Sequence, residues 1–489
     1  MRVADEPPST AAGGATGSAP KNVLMPFIVI SISYLLFTIT DGGVRMIVLL
    51  HAYNQGFTAM EVAIMFTLYE LAGVVTNIAA GMLGDRWGIR WTLNVGLALQ
   101  IGGLGMLFGW QTDWQKSTAI VFVTLAQMLC GVAKDLTKLG GKTVTKLVTP
   151  DAQQTKLFKL VSLLTGWKNA LKGVGYFLGA ALLDSHPNPA IGYFVSLAVM
   201  IGLVLLAFPW ALFGLDKNLG TAKKKPASLK QILFNPNYNL NMLSLARCFL
   251  FGSRDLWFEV PLPFFLRDAV HGPGLARNLV GAFLAGYIIL YGQTQSYTPQ
   301  LVISPLRQTP PNKYVAVLWA LLLIPITLGL GFATTLSPIF NERDVPRMVA
   351  SLVGGIVVFA LVFAVNSSVH SYLVVRYAAG DKVATDVGFY YMANASGRLI
   401  GTLSSGALYS YAASTPTLGF GACMFASSCF CLISGLIVAL CRDDEAGLRC
   451  GPITCFAGVS KAGDDLVAPH ELHKARDADQ HGVEPSHTA

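Results

Sequence analysis

Lys134 and Lys138 stand four residues apart in one apolar stretch, and Lys168 and Lys172 do the same in the next. Helical spacing puts each pair on one face. A charge in hydrocarbon costs at least about 2.5–3.5 kcal/mol, so ammonium groups held there answer a need. The chemistry they offer is the binding of an anion. Arg45, Arg247, Arg254 and Arg398 add four guanidinium groups inside other apolar stretches, and the acids at similar depth are Asp41, Glu70, Asp135, Asp255 and Glu259. Eight cations against five acids leave an excess of three positive charges.

Spacing and depth sort these groups. Asp41 and Arg45 share a face and can neutralise each other, and Asp255 and Glu259 share a face next to Arg254. Lys138 lies near the end of its stretch, where its stem can snorkel to water. Lys168 falls about halfway along its stretch and Arg398 at a comparable depth in another, so the two are expected to hold an anion from opposite sides. The candidate substrate-binding set is Lys168, Arg398, Arg45, Arg254, Lys134, Lys172 and Arg247, with Asp41, Glu70, Asp135, Asp255 and Glu259 as a proton relay or gate. Around Thr40-Asp41-Gly42-Gly43-Val44-Arg45 and Gly252-Ser253-Arg254-Asp255 two readings stand side by side. Either the arginines bind substrate while an aspartate relays protons, or the charges form a gate of salt bridges. The glycines beside them let backbones approach closely or let the helix break.

The elements that must position these residues are membrane spans. Of 489 residues, 53% are hydrophobic and 13% charged, against about 25% charged in soluble domains. Twelve apolar stretches are expected to cross a bilayer, at 24–50, 59–80, 92–110, 118–139, 157–183, 191–213, 240–265, 279–297, 314–333, 348–372, 387–411 and 417–440. The fold class that follows is an all-α polytopic membrane protein of twelve transmembrane helices in two six-helix repeats. Lys168 and Arg398 then occupy equivalent spans, five and eleven, and the Asp-Arg pairs occupy spans one and seven.

Lysines and arginines concentrate in the loops after spans two, four, six, eight and ten, including Lys217, Lys223, Lys224, Lys225 and Lys230 after span six. The positive-inside rule then expects both termini in the cytoplasm. The expected organisation is a disordered cytoplasmic leader (1–22), an N-terminal bundle (23–214), a basic linker (215–237), a C-terminal bundle (238–441) and a disordered cytoplasmic tail (442–489). The net charge of +8 lies largely in loops and is not a nucleic-acid signal. The eight cysteines and eight histidines show no metal spacing. No catalytic constellation, phosphate-binding loop or cofactor motif appears. The expectation is a non-enzyme without cofactor or metal, working as a monomer in the lipid bilayer, in the plasma membrane, on a small anionic substrate.

The loop after span two reads Gly81-Met82-Leu83-Gly84-Asp85-Arg86-Trp87-Gly88-Ile89-Arg90. Gly81, Gly84, Asp85, Arg86, Gly88 and Arg90 resemble the signature of the major facilitator superfamily, with Ile89 where a basic residue is usual. The resemblance implies the major facilitator fold, with Asp85 in a gate network on the cytoplasmic side.

A closer resemblance runs from span one to span twelve. The stretches TDGGVRMIVLLH, LYELAGVVTN, GVAKDLTKLGGKTVTKLV, LLTGWKNALKGVGYFLG, FLFGSRDLWFEVPLPFFL and NASGRLIGTLSSG resemble organoarsenical efflux permeases of the ArsJ type. The resemblance implies export of 1-arseno-3-phosphoglycerate in arsenate resistance. It also implies a functional link to a glyceraldehyde-3-phosphate dehydrogenase, which makes that ester when arsenate replaces phosphate. Such a substrate is strongly anionic, in keeping with the excess of cations. A facilitator for other organic phosphates or organic anions is the alternative.

Overall fold

The computed structural model describes residues 24–148, 154–215, 237–268, 277–337, 345–378, 383–411, 415–442 and 447–457. The leader, the linker and most of the tail lie outside these. Span one is Leu24–Asn54. Span two joins Ala59–Met65 to the first leg of Thr67–Leu107, whose second leg is span three. Spans four, five and six are Lys116–Val148, Gln154–Leu183 and Pro189–Phe213. Span seven joins Tyr238–Asp255 to Pro261–Asp268, and span eight is Arg277–Thr298, ending in a π-helical turn at Pro299–Ile303. Span nine joins Lys313–Leu321 to Leu323–Leu336. Spans ten, eleven and twelve are Val345–Tyr377, Val383–Tyr411 and Pro416–Ala439.

Helix starts follow local chemistry. Thr58 and Glu61 form a reciprocal capping box, and the side chains of Asn188, Asn237 and Asn312 accept from the first turns of spans six, seven and nine. Span nine breaks at Leu322, where Pro325 has no N–H to offer the preceding turn. Span seven breaks over Leu256–Val260, just before Pro261, and Glu259 lies in that break.

Among the described residues, seven segments are long and apolar enough to cross a membrane by length and composition. The other five spans are more polar, and they include those that carry Lys168, Arg247, Arg254 and Arg398.

The backbone over 81–91, expected as a loop, is helical. Thr67–Leu107 is nevertheless not one rod, in which Gly73 and Gly96 would stand about 35 Å apart. Gly73 packs against Lys134 and Asp135, and Gly96 packs against Ala133 and Thr137. The first leg runs parallel to span four, with Tyr69 at Gly131 and Asn77 at Lys138. The second runs antiparallel to it, with Gly103 at Cys130. The chain therefore reverses between Asn77 and Arg90, and two spans result.

Glycines bring the charged spans together. A Cβ on Gly42 would collide with the Lys172 carbonyl, and one on Gly175 with the Ile39 carbonyl, so span one lies backbone to backbone on span five. In the second half, Gly397 meets Cys248 and Gly401 meets Gly252, which sets span eleven on span seven in the same way. Of the two options for these glycines, close approach is the one realised.

Part of the tail expected to be disordered is ordered. Leu448–Cys450 (β1) and Ile453–Phe456 (β2) form an antiparallel hairpin. It sits on the loop between spans eight and nine, with Gly451 N donating to Leu306 O at 3.0 Å and Gln308 Nε2 to Arg449 O at 2.9 Å. Backbone hydrogen bonding, this docking and the apolar contacts of Leu448 with the second half's core and of Phe456 with the Tyr314 ring at 4.8 Å order the segment.

Candidate functional site between the two halves

Of the thirteen charged residues singled out in the apolar stretches, twelve fall into two groups and Arg247 stands apart. The first is a buried lattice of three arginines and three acids drawn from spans one, two, seven and eleven. Arg45 Nη2 lies 2.6 Å from Glu70 Oε1, and its Nη1 reaches Glu259 Oε2. Arg398 bonds Asp255 Oδ2 through Nε at 2.9 Å, and through Nη2 it meets Glu70 Oε1 at 2.8 Å and Glu259 Oε1 at 3.0 Å. Arg254 lies 2.5 Å from Asp255 Oδ1 and 3.7 Å from Glu259 Oε1. Phe66 and Tyr69 flank the Arg45 guanidinium at 4.8 and 4.9 Å. Planar guanidinium groups suit this work because one fork can serve several carboxylates.

The lattice crosses between the halves through Arg45–Glu259 and Arg398–Glu70. Beyond it, on the face opposite the linker, the halves also touch. Tyr53 meets Phe264 edge-on at 5.1 Å, Met60 N donates to Ser410 Oγ at 3.1 Å, and Arg277 Nε donates to Asp184 Oδ1 at 2.5 Å.

The second group is the lysines, which lie on the linker side of the lattice. Lys172 Nζ is 3.7 Å from Asp41 Oδ2, and Tyr69 OH donates to Asp41 Oδ1. Lys138 Nζ is 3.8 Å from Asp135 Oδ1, donates to Asn77 Oδ1 at 3.4 Å and sits 4.3 Å from the centre of the Tyr391 ring. Asp135 also accepts from Thr76 Oγ1 at 2.8 Å. Lys134 Nζ lies 4.0 Å over the Tyr69 ring, and Lys168 has Lys138, Lys172, Lys134 and Asp41 as electrostatic neighbours.

Pairing accounts for five cations and five acids. Arg45, Arg254, Arg398, Lys138 and Lys172 are taken up by Glu70, Glu259, Asp255, Asp135 and Asp41. Lys134, Lys168 and Arg247 have no carboxylate in salt-bridge reach among the described residues. Arg247 is held instead by aromatic faces and neutral oxygens. Phe251 lies 3.9 Å from its guanidinium carbon, Nη1 donates to Ser367 O and Nε to Asn394 Oδ1, each at 3.3 Å.

A polar chain joins the lysine side to Arg247. Asn169, next to Lys168, donates to Gln295 Oε1 at 2.9 Å, and Gln295 Nε2 donates to Ser367 Oγ at 3.3 Å. Tyr391 stands between Lys138 and Arg247.

Of the two cations expected to hold an anion from opposite sides, Lys168 has no carboxylate in salt-bridge reach among the described residues, whereas Arg398 is paired with three. Arg398 is locked to three carboxylates because span eleven packs on span seven through Gly397 and Gly401. Its counterpart by pairing is Lys172, which meets the aspartate of span one as Arg398 meets that of span seven. Arg45 and Arg254 likewise spend their donors on acids. Tyr69, Asn169, Gln295, Ser367 and Tyr391 were not singled out from sequence, although polar side chains in the Gln295-Ser296 and Asn366-Ser367-Ser368 stretches of apolar spans were a signal. In the signature motif, Arg90 is half-buried and its carbonyl accepts from Asn94 Nδ2 at 2.8 Å. The side chains of Gly81, Gly84, Asp85, Arg86 and Gly88 fall outside the described residues. Among the described residues no group of three or more His, Cys, Asp or Glu side chains is arranged to hold a metal ion.

The Major Facilitator Superfamily profile matches residues 30–368. The chain belongs to the major facilitator superfamily. Its twelve helices form the two six-helix repeats of that fold, so the protein is a multi-pass membrane transporter and not an enzyme. Solved structures agree in fold. A bacterial homologue of the iron transporter ferroportin, inward-facing, aligns with TM-score 0.62 and 16% identity over 86% of this chain and 99% of the other. The nucleoside transporter NupG aligns with TM-score 0.60 and 12% identity over 86% and 99%. The human organic anion transporter MFSD10 (TETRAN) aligns with TM-score 0.55 and 16% identity over 85% and 99%. No curated protein matches the sequence.

Proposed function

We propose that this major facilitator exports a multiply charged organic anion bound by Lys134, Lys168 and Arg247. The observation that carries the reading is the charge pairing, which leaves three cations without acids on either side of the interface between halves. Lysine offers a mobile point charge and arginine a fixed fork, a combination suited to a molecule with two unlike oxyanion groups. The substrate in this reading is the arsenylated glycolytic ester 1-arseno-3-phosphoglycerate. It is supported by the resemblance of spans one, two, four, five, seven and eleven to organoarsenical permeases, with a glyceraldehyde-3-phosphate dehydrogenase as its source.

In the proposed cycle the lattice of Arg45, Glu70, Arg254, Asp255, Glu259 and Arg398 closes the face opposite the linker. The anion enters from the linker side, which carries the basic loops and is therefore cytoplasmic, with the protein in the plasma membrane. Its negative charge enters the field of Lys134 and Lys168, opposes the lattice acids and favours rearrangement of the halves. Asp41 and Asp135, each beside a lysine, are the groups for a coupled proton.

The test is arsenate tolerance of a sensitive host that expresses the protein together with the dehydrogenase. Tolerance should rise and cell-associated arsenic should fall, and both effects should vanish with Lys168→Ala or Arg247→Ala at equal membrane abundance. Unchanged arsenic accumulation with the intact protein overturns the arsenical substrate. Vesicle uptake of labelled 3-phosphoglycerate without preference for the arsenylated ester reassigns the site to ordinary organic phosphates.

A further inference from the structure

The hairpin on the linker face holds two thiols that the transport reading does not use. Gly451 and Pro452 form its turn. Gly451 has φ +65°, which glycine adopts without strain at the first turn position, and Pro452 supplies the fixed φ of the second. Arg449 pairs with Thr454 and Leu448 with Phe456, so Cys455 is the extra residue of a bulge. Its side chain contacts that of Cys450. Cys455 is exposed and Cys450 half-buried, with Gln308 Nε2 4.0 Å from the Cys450 sulfur. The five cysteines within the spans are free thiols, and none of them is shown in contact with another thiol among the described residues.

We infer that Cys450 and Cys455 are a reversible disulfide site that responds to a thiol oxidant of the glutathione disulfide class. The hairpin supplies what the reaction needs, two thiols already in contact at the ends of a tight turn, one of them open to solvent. The Cys455 thiolate attacks one sulfur of glutathione disulfide and releases one glutathione. Cys450 then loses its proton and displaces the second glutathione from the mixed disulfide. One S–S bond breaks and one forms, and two electrons pass to the two glutathiones released. Donation of the Cys450 S–H to the Cys455 sulfur holds the Cys450 thiol above its usual range, which suits Cys450 to the second, resolving step. Closing this loop ties the two strands covalently where they hold Leu306 and Gln308, at the turn between spans eight and nine.

The experiment uses the full-length protein in detergent, equilibrated across a series of glutathione to glutathione disulfide ratios. Free thiols are trapped with a mass-tagged maleimide. Oxidation should remove two tags per chain, and peptide mapping should find Cys450 joined to Cys455. Cys450→Ser and Cys455→Ser should each abolish the loss of two tags. Gly451→Ala, which strains the turn, should shift half-oxidation toward a more oxidising ratio. A tag count unchanged across the series overturns the proposal, as does a bridge mapped to other cysteines or between two chains.

Discussion

The arginine lattice and the lysine group sit side by side in one interface, yet they solve the problem of buried charge in opposite ways. The lattice pairs every guanidinium with at least one carboxylate at 3.0 Å or less, and Asp255 and Arg45 are almost fully buried. In the lysine group the ion pairs stretch to 3.7 and 3.8 Å, and two lysines have no acid. A saturated network holds a conformation. An unsaturated one has attraction left for a visitor. Buried ion pairs add little net stability over apolar packing, but removing one partner typically costs about 3–5 kcal/mol because the other stays charged and alone.

That contrast can be broken experimentally, and the largest effect is expected in the lattice. Glu259→Gln removes an acid shared by Arg45, Arg254 and Arg398. It should destabilise the protein by about 3–5 kcal/mol, read as a large fall in Tm in detergent together with loss of transport. If Tm is unchanged, the lattice is not the structural element described here.

Lys168→Ala and Arg247→Ala should do the reverse, keeping Tm at or above the parent value while uptake in vesicles falls. Losing one charge-assisted bond of about 1.5–3 kcal/mol corresponds to roughly a tenfold to hundredfold loss in apparent affinity. A fall in Tm as large as that of Glu259→Gln would erase the distinction between the two regions.

Arg398→Lys keeps the charge but loses the fork that reaches Asp255, Glu70 and Glu259 together. Its Tm should fall by less than that of Glu259→Gln, with transport impaired and not abolished. Lys172→Ala leaves Asp41 with only its Tyr69 hydrogen bond and should show a smaller effect on both readouts. Equal losses in Arg398→Lys and Lys172→Ala would mean that the two pairs contribute alike despite their different distances.

Much of this site was legible in the sequence, but not how it divides. The i, i+4 lysine pairs and the Asp-Arg clusters beside glycine named eight of the charged groups, and charge inside an apolar stretch named Glu70, Asp135, Arg247, Glu259 and Arg398, but Arg277 and Asp184 at the outer face were not among them. Depth along a span is a one-dimensional measure, and it matched Lys168 with Arg398. The packing of span eleven on span seven turned Arg398 toward Asp255 instead. The partners that line the remaining space, Tyr69, Asn169, Gln295, Ser367 and Tyr391, are neutral, and neutral polar residues are too common in transmembrane helices to stand out singly. The hairpin at Leu448–Phe456 was not legible because strands of three and four residues are too short to show a period, even with Leu448, Ile453 and Phe456 in them.

Composition and hydropathy alone determined that the chain spans a membrane twelve times and that its interior carries three more positive charges than negative. Those are sums over residue types, and no arrangement of helices can change them. Which three cations are left over was decided only by tertiary structure. Helices brought together at glycine contacts choose which acid each base can touch, and ion pairing depends on a few ångströms that sequence spacing does not measure.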